Sequence, residues 1–172
     1  MPKVSTITKE IVLDAAFEIA RTSGFSSLSA RSIAQHIGCS TQPIYWVYEN
    51  MELLRHDVAL RAIDYLNDII IGYHQTGQPF ADLGLGYIYV AHKEAFLFKA
   101  IYMENIADIK LSEFPKNPMI TKTLELTGNT NNVDDTATKA WILAHGIASL
   151  VTVGMMVYDS EKIEKILLSF ME

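Results

Sequence analysis

The sequence predicts an all-α protein with a small N-terminal domain and a larger helical C-terminal domain. Apolar residues recur at helical spacing almost everywhere in the 172 residues, and no segment alternates long enough to predict a strand. Residues that cap helices stand directly before the apolar runs, and glycines follow several of them. Charge is distributed unevenly, since the first third of the chain is neutral and the remainder is acidic. We place the domains at residues 1–54 and 55–172.

Each of the first four predicted helices follows a side chain that can cap it. Gly24 is expected in the left-handed conformation after the first helix, and Gly38 ends the second. The expected caps and helices are Thr8 for 8–22, Ser29 for 30–37, Ser40 for a helix to about 47, and Asn50 for a helix to about 70.

Five further helices are predicted, separated by segments rich in turn-forming or polar residues. They cover about 80–93, 95–109, 119–126, 136–158 and 160–171. Residues 140–158 lack charges and nearly reach the length of a membrane span. Because His145, Ser149 and Thr152 lie within that run, we expect a helix buried in the fold or in a dimer, and no membrane segment.

Residues 28–48 have the pattern of a helix-turn-helix, in which two short helices cross closely. Ala34 is small at the crossing point, and Gly38 follows four residues later, where the turn must be tight. A small apolar core is supplied by Ile33, Ile37 and Ile44. Such a motif places the N-terminal part of its second helix in the major groove of DNA. With Ser40 as the cap, Pro43 falls at the third helical position, where it removes no hydrogen bond.

The distribution of charge and the cysteine content bear on the affinity for DNA and on the cellular compartment. Up to Arg61 the chain has six basic and six acidic residues, whereas the remainder has eight lysines, no arginine and fourteen acidic residues. All four arginines therefore stand in the first third, where a planar, permanently charged group suits contact with phosphates. A neutral segment predicts modest non-specific affinity for DNA. Cys39 is the single cysteine and residues 1–9 lack a signal-peptide core, so we expect a cytoplasmic protein.

The segment from Thr8 to about Leu54 resembles the DNA-binding domain of the TetR family of repressors. The order and spacing of five groups of residues carry the resemblance. They are Gly24-Phe25, Ser29-Ala-Arg31-Ser-Ile33-Ala34, Gly38-Cys39-Ser40, Ile44-Tyr45-Trp-Val-Tyr48 and Met51-Glu-Leu-Leu54. Two positions depart from the family pattern: Met51 stands where a lysine is usual, and Val47 replaces a His or Tyr that often contacts phosphate. Both departures remove backbone contacts and predict a shallow salt dependence.

The resemblance implies contacts with the DNA backbone. Ser29 and Arg31, at the start of the second helix, would reach phosphates, and the hydroxyl of Tyr45 would hydrogen-bond the backbone. The N–H groups behind the Asn50 cap would offer a further phosphate site. Tyr48 takes the place of a core phenylalanine of the family.

The resemblance also implies contacts with bases. Thr41, Gln42 and Pro43 would face base edges, and Gln42 can pair bidentately with adenine. Trp46 stands at an outward position and would contact a sugar or a thymine. The complete expected DNA-contacting set is Ser29, Arg31, Ser40, Thr41, Gln42, Pro43, Tyr45, Trp46 and Asn50.

The C-terminal domain resembles one subfamily of TetR C-terminal domains in two places. The stretch Trp141-Ile-Leu-Ala-His145-Gly146-Ile-Ala-Ser-Leu150 is similar to a Trp-x-x-x-His-Gly-x-x-x-Leu pattern. The segment from Tyr87 to Phe98 is similar to its helix pair, but lacks the usual proline after His92. The resemblance implies that the last two helices form a homodimer and that the domain binds a small effector.

The expected effector pocket is mostly apolar, with His145 as a polar handle. Its expected residues are Tyr87, Phe96, Tyr102, Met103, Trp141, His145 and Met155. Aromatic and methionine residues at this spacing also fit a solid core, so both interpretations stay open. The expected dimer residues, which share one side of a helix at small-residue spacing, are Ala144, Ala148 and Thr152.

The residues and the resemblance leave three classes of function to compare: a DNA-binding regulator, a binding or sensing module, and an enzyme. The resemblance implies a dimeric regulator, most simply a repressor, that binds a palindromic double-stranded operator and is released by a small, mostly apolar effector of unknown identity. Met51 and Val47 leave an alternative with the same fold, a protein-binding or ligand-sensing module with weak or no DNA binding. An enzyme is disfavoured because the sequence has no Gly-rich phosphate loop, nucleophile elbow or acid pair. No cofactor is expected, and no metal, because no cluster of His, Cys, Asp and Glu has ligand spacing.

Overall fold

The computed structural model describes residues 7–106 and 133–171, and within these ranges it contains helices and no strands. The all-α prediction is confirmed for this part of the chain. The helices are α1 Lys9–Ser23, α2 Ala30–Ile37, α3 Gln42–Val47, α4 Met51–Ile71, α5 Pro79–Lys93, α6 Ala95–Phe98, α7 Val133–Thr152 and α8 Ser160–Met171. A 3₁₀ turn, Phe25–Ser27, precedes α2, and a π-helical turn, Lys99–Met103, continues α6.

The chain divides into two compact units, Met1–Asp64 and Tyr65–Glu172. The division falls inside α4, so that this helix contributes residues to both units. The boundary predicted at residue 54 lies earlier in the same helix, and it stays a prediction about how function is divided.

The first unit is built around apolar side chains that its helices place in one core. α1 packs on α2 and on α3. The core side chains with almost no exposure include Val12, Ala16, Ile33, Ile44, Leu54 and Val58. Burying a side chain of the size of Val, Leu or Ile stabilises a fold by about 1.5–3 kcal/mol. The apolar stripes of the sequence therefore account for the packing of α1 to α4.

Side-chain caps begin three helices of this unit, as the sequence predicts. Thr8 Oγ1 and Asn50 Oδ1 each accept a hydrogen bond from the N–H three residues later, at 3.3 and 2.9 Å. Ser29 and Ser32 form a reciprocal pair, in which each hydroxyl oxygen accepts the backbone N–H of the other at 3.0 Å. Each cap satisfies an N–H group that has no acceptor inside its helix, an effect of about 1 kcal/mol.

Two details of the turns differ from the prediction. Gly24 has φ 82° with ψ 161°, outside the left-handed helical region, because a 3₁₀ turn begins at the next residue. The predicted Ser40 cap is wrong: Thr41 is the residue before α3, and the Ile44 N–H donates to the Thr41 carbonyl oxygen at 3.2 Å. Pro43 is therefore the second residue of α3, where it still removes no hydrogen bond.

In the second unit α5 packs on α6, α7 and α8. The core side chains with almost no exposure include Leu85, Ile88, Leu97, Phe98, Ile101 and Ile163. A Cβ atom at Gly86 would lie 2.8 Å from the Ile70 carbonyl oxygen, whereas one at Gly84 would meet the Leu167 side chain at 3.1 Å. Gly86 is thus what allows α5 to approach the last turn of α4.

Asp82 fixes the loop between α4 and α5. Its carboxylate is buried and accepts hydrogen bonds from the N–H groups of Gln75 and Thr76 and from the Thr76 hydroxyl, at 2.8–3.0 Å. Burial raises the pKa of Asp82, but these hydrogen bonds outweigh it and hold that pKa below its ordinary value. The charged carboxylate therefore closes the loop through these hydrogen bonds.

The predicted helix ends in this unit are partly corrected. The helix predicted to reach residue 158 ends at Thr152, because Gly154 turns the chain with φ 75°. The helix expected over 95–109 is α-helical only to Phe98 and π-helical to Met103. The short helix expected at 119–126 lies outside the described residues, and the helix at 160–171 is confirmed. Among the described helices, none combines the length and apolarity that crossing a membrane requires.

Candidate nucleic-acid interface

α2 and α3 form the helix-turn-helix that the sequence predicts. Gly38 makes the tight turn in the left-handed conformation, with φ 81° and ψ 36°, and its N–H and that of Cys39 both donate to the Ala34 carbonyl oxygen at 2.9 Å. Ile33 and Ile44 are fully buried. The apolar contact and the glycine turn together fix the two short helices against each other.

One side of α3 is exposed, and it carries the residues predicted to face DNA bases. Residues 41, 42, 45 and 46 share this side because helical positions three and four apart are neighbours. Thr41 and Gln42 are exposed, and Pro43 is half-buried. Tyr45 and Trp46 are 52% and 73% exposed, although both are large aromatic side chains. The structure therefore brings together the predicted base-facing residues on an open surface.

The residues predicted to reach phosphates are also exposed, but two of them serve their own helices. Arg31 and Ser40 are exposed. Ser29 and Asn50 are exposed as well, and their side-chain oxygens accept the capping hydrogen bonds of α2 and α4. Their oxygens are thus already engaged, so a phosphate would meet the first turns of these helices beside the caps.

Three of the four arginines in the first unit are engaged within the unit. Arg55 donates to the carbonyl oxygens of Phe25 and Leu28 at 2.8 and 2.7 Å and so anchors the 3₁₀ turn to α4. Arg61 forms ion pairs with the carboxylates of Glu10 and Asp14 at 3.1 and 2.6 Å, and Arg21 lies 3.7 Å from that of Glu18. The clustering of arginines in the sequence is therefore mostly structural, and Arg31 is the exposed member of the group.

Sequence reasoning missed a network at the end of α3. The carboxylate of Asp57 accepts a hydrogen bond from the Tyr48 hydroxyl at 3.0 Å and pairs with the Lys9 ammonium at 2.8 Å. The hydrogen bond from Lys9 and that from Tyr48 lower the pKa of Asp57, whereas burial raises the pKa of Tyr48. We call these contacts the Lys9–Asp57–Tyr48 network. The signal in the sequence was a tyrosine at a core position, because a buried hydroxyl needs a partner.

Comparison with solved structures gives three similar folds. A TetR-family transcriptional regulator from Rhodococcus sp. superposes with a TM-score of 0.62 and 17% identity over 94% of this chain and 95% of that chain. This chain has the TetR-family fold. The multidrug binding protein EbrR, complexed with imidazole, gives a TM-score of 0.62 and 17% identity over 93% of this chain and 87% of that chain. A transcriptional regulator from Rhodococcus sp. Rha1 gives a TM-score of 0.59 and 16% identity over 92% of this chain and 90% of that chain.

The sequence itself matches no family model and no curated protein. At 16–17% identity the three structures establish the fold of the chain and leave its activity to be argued from its own residues.

The second unit of this TetR-like fold contains an aromatic cluster that includes four of the predicted effector residues. Its members are Tyr87, Phe98, Tyr102, Trp141 and His145, and neighbouring rings lie 4.9–6.2 Å apart. The Tyr87 hydroxyl lies 2.9 Å from Nδ1 of His145. Burial lowers the pKa of His145, so the ring is neutral at pH 7. The cluster presents apolar rings with one polar handle.

Not every predicted pocket residue joins the aromatic cluster. Phe96, Met103 and Met155 are exposed, at 51%, 37% and 79%. Phe98, which the prediction omitted, is fully buried. An open pocket of about 500 Å³ lies elsewhere in the unit, and none of its lining residues was predicted. They are Ile69, Gly72, Tyr73, Gln75 and Tyr89.

The predicted dimer stripe on α7 faces inward. Ala144 and Ala148 are buried, and the Thr152 hydroxyl lies 3.4 Å from a carbonyl oxygen of α5, on which α7 packs. The expectation that Ala144, Ala148 and Thr152 meet a second copy is thus wrong for this structure, because small residues let α7 approach α5. The exposed stripe on the other side of α7 consists of Ile142, Gly146 and Leu150, and Val153, directly after the end of the helix, continues it.

Proposed function

We propose that the chain is a TetR-family transcriptional regulator that recognises DNA through α3. The observation that carries the proposal is the open side of α3, where Thr41, Gln42, Tyr45 and Trp46 are exposed opposite a fully buried Ile44. Exposed aromatic side chains on a rigid helix suit sugar and thymine contacts, and an exposed glutamine suits adenine. The likeness of the whole chain to regulators of known fold supports the same function.

The regulator acts as a homodimer on a palindromic double-stranded operator. Two copies place two recognition helices one DNA turn apart, which is how a helix-turn-helix protein reads a palindrome. The exposed stripe of α7 supplies a surface for the second copy. Ile142, Leu150 and Val153 are 55%, 41% and 53% exposed, and Gly146 between them permits close approach. An apolar stripe of this kind is costly to leave in water.

A small, mostly apolar effector releases the repressor from DNA. The aromatic cluster offers apolar faces, and the ring of His145, neutral at pH 7, offers a single polar handle, because its Nδ1 already contacts the Tyr87 hydroxyl at 2.9 Å. The likeness to EbrR, a multidrug binding protein complexed with imidazole, supports a small-molecule effector. An effector that prefers a spacing of the two DNA-binding units different from the one that fits DNA weakens DNA binding by population shift.

One observation favours the alternative of a ligand-sensing or protein-binding module with weak DNA binding. Arg21, Arg55 and Arg61 are engaged inside the first unit, so few cations face a duplex. The two functions differ in sequence-selective DNA binding, which the first requires and the second lacks.

The test is binding of the protein to fragments of the genome that encodes it, followed by two variants. We expect at least one fragment to bind below micromolar concentration, and Gln42→Ala and Tyr45→Ala to lose selective binding while remaining dimers in sedimentation. Failure of the wild type to bind any fragment would leave the alternative function. Unchanged affinity in both variants would refute the assignment of α3.

The dimer has a separate test. Leu150→Glu places a charge in the exposed stripe of α7 and should give monomers in sedimentation equilibrium. Ile71→Glu is the matched control, because it makes the same kind of change at an exposed apolar position of α4. A dimeric Leu150→Glu variant would show that the stripe is not the contact between copies.

A further inference from the structure

The start of α1, the end of α3 and the second turn of α4 meet at the Lys9–Asp57–Tyr48 network. We propose that Asp57 is a positioning residue that holds the C-terminal end of α3, and with it the base-facing side chains, in the orientation that reads DNA. The inference rests on the proposed function, because the orientation of α3 matters for recognition only if α3 binds DNA.

A single carboxylate oxygen serves both partners. Oδ2 of Asp57 accepts a hydrogen bond from the Tyr48 hydroxyl at 3.0 Å and lies 2.8 Å from the Lys9 ammonium. The ammonium also lies 4.8 Å from the centre of the Tyr48 ring, within range of a cation–π contact. Each of the three groups therefore touches the other two, and moving one disturbs both remaining contacts.

α3 depends on contacts at its ends because it is six residues long. A helix this short has little stability of its own in water, so packing and end contacts fix its orientation. Its N-terminal end follows the Gly38 turn, and Tyr48, 3% exposed, directly follows its last residue. A phenylalanine would fill the same space, but it would have no hydroxyl to hold the end of α3 to α4.

The negative charge of Asp57 would repel phosphates from a DNA-binding surface, so keeping an aspartate here requires a nearby positive charge. Lys9 compensates that charge locally, since their ion pair brings one positive and one negative group together. The hydrogen bond from Lys9 is also the main reason that the pKa of Asp57 is lowered, so the carboxylate remains an acceptor for Tyr48 at neutral pH. The Asp57 carboxylate thus remains the acceptor for the Tyr48 hydroxyl, while the net charge of the Lys9–Asp57 pair is close to zero.

Tyr48→Phe tests the inference without changing charge. The readout is the ratio of two affinities, for a duplex that the wild type selects from a random-sequence library and for unselected duplex. We expect Tyr48→Phe to lower this ratio about tenfold, which corresponds to ~1.4 kcal/mol. Asp57→Ala should lower it at least as much, and the double variant no further than Asp57→Ala alone, because the hydroxyl acts through the carboxylate.

Tyr65→Phe is the matched control. It removes a tyrosine hydroxyl that donates to the Glu94 carboxylate at 2.9 Å in the second unit, so the chemistry of the change is the same. The ratio should stay at its wild-type value. Amide hydrogen exchange of the free proteins gives a readout that needs no DNA: α3 should exchange faster in Tyr48→Phe while α2 is unchanged.

The outcomes separate the inference from the proposed function. A selective Tyr48→Phe variant with unchanged exchange in α3 would overturn the inference and leave the function standing. If Asp57→Ala raised the affinities for selected and unselected duplex equally, the effect of Asp57 would be purely electrostatic. That result would also overturn the inference. If the wild type selects no sequence, the proposed function is refuted, and exchange in α3 alone decides whether Asp57 holds the helix.

Discussion

The charges around α2 and α3 determine how steeply DNA binding should depend on salt. Each phosphate that a lysine or arginine neutralises contributes about −0.9 to the slope of log affinity against log salt concentration. Among the described residues of this surface, Arg31 is the exposed arginine, whereas Arg21, Arg55 and Arg61 are engaged within the unit. A dimer that uses Arg31 from each copy should show a slope of about −1.8.

The expected loss of affinity is therefore small. Between about 50 and 200 mM salt, a slope of about −1.8 weakens binding roughly 12-fold, whereas six to ten phosphate contacts weaken it by about 10³–10⁵. Arg31→Ala should reduce the slope by about 1.8 and weaken binding to selected and unselected duplexes alike. Two further cations in each copy set the upper bound, Lys3, which lies outside the described residues, and Lys9, which pairs with Asp57. If both also met phosphates, the six contacts of a dimer would give a slope of about −5.4.

The assay is fluorescence anisotropy of a labelled duplex over a series of salt concentrations. Arg21→Ala is the matched control, because it removes the same charge from a residue that pairs with Glu18, and its slope should equal that of the wild type. A wild-type slope steeper than about −5.4 would show that more cations reach the phosphates than Arg31, Lys3 and Lys9 of two copies supply. An Arg31→Ala slope equal to the wild-type slope would remove Arg31 from the interface.

Three further predictions concern stability. Arg55→Ala removes two hydrogen bonds from a charged donor and should lower the free energy of unfolding by about 2–4 kcal/mol in urea titrations; an unchanged midpoint would contradict the anchoring role. Gly86→Ala should cost about 1–3 kcal/mol and Gly84→Ala less, because only the first meets a backbone oxygen of α4; equal costs would refute the reasoning. His145 has a lowered pKa when folded, so stability should fall as pH drops below about 6.5, and His145→Gln should lose that dependence in thermal melts.

Local features of the first unit were predictable because they depend on neighbouring residues alone. The caps at Thr8, Ser29 and Asn50 and the left-handed turn at Gly38 follow from the conformations that these residue types favour. Thr41 escaped prediction because Ser40 is as good a capping residue in sequence, and only the backbone shows which of the two precedes the helix.

Features that depend on distant contacts were not predictable in the same way. Arg55 bonds to carbonyl groups 27 and 30 residues away, and nothing near it in sequence indicates that it faces inward. α7 has two apolar sides. The side made of small residues packs on α5, whereas larger residues such as Leu150 on the other side remain exposed. Phe98 lies beside a π-helical turn, where regular helical spacing does not apply, and so the pattern selected the exposed Phe96 instead.

The central claim, that the open side of α3 reads DNA sequence, is tested most directly by the affinity ratio of the wild-type protein. Its affinity for a duplex that it selects from a random-sequence library is compared with that for unselected duplex at one salt concentration. Helix-turn-helix regulators that read sequence typically favour their sites by about 10³-fold or more, and the claim predicts a ratio of that size. A ratio near one would contradict it.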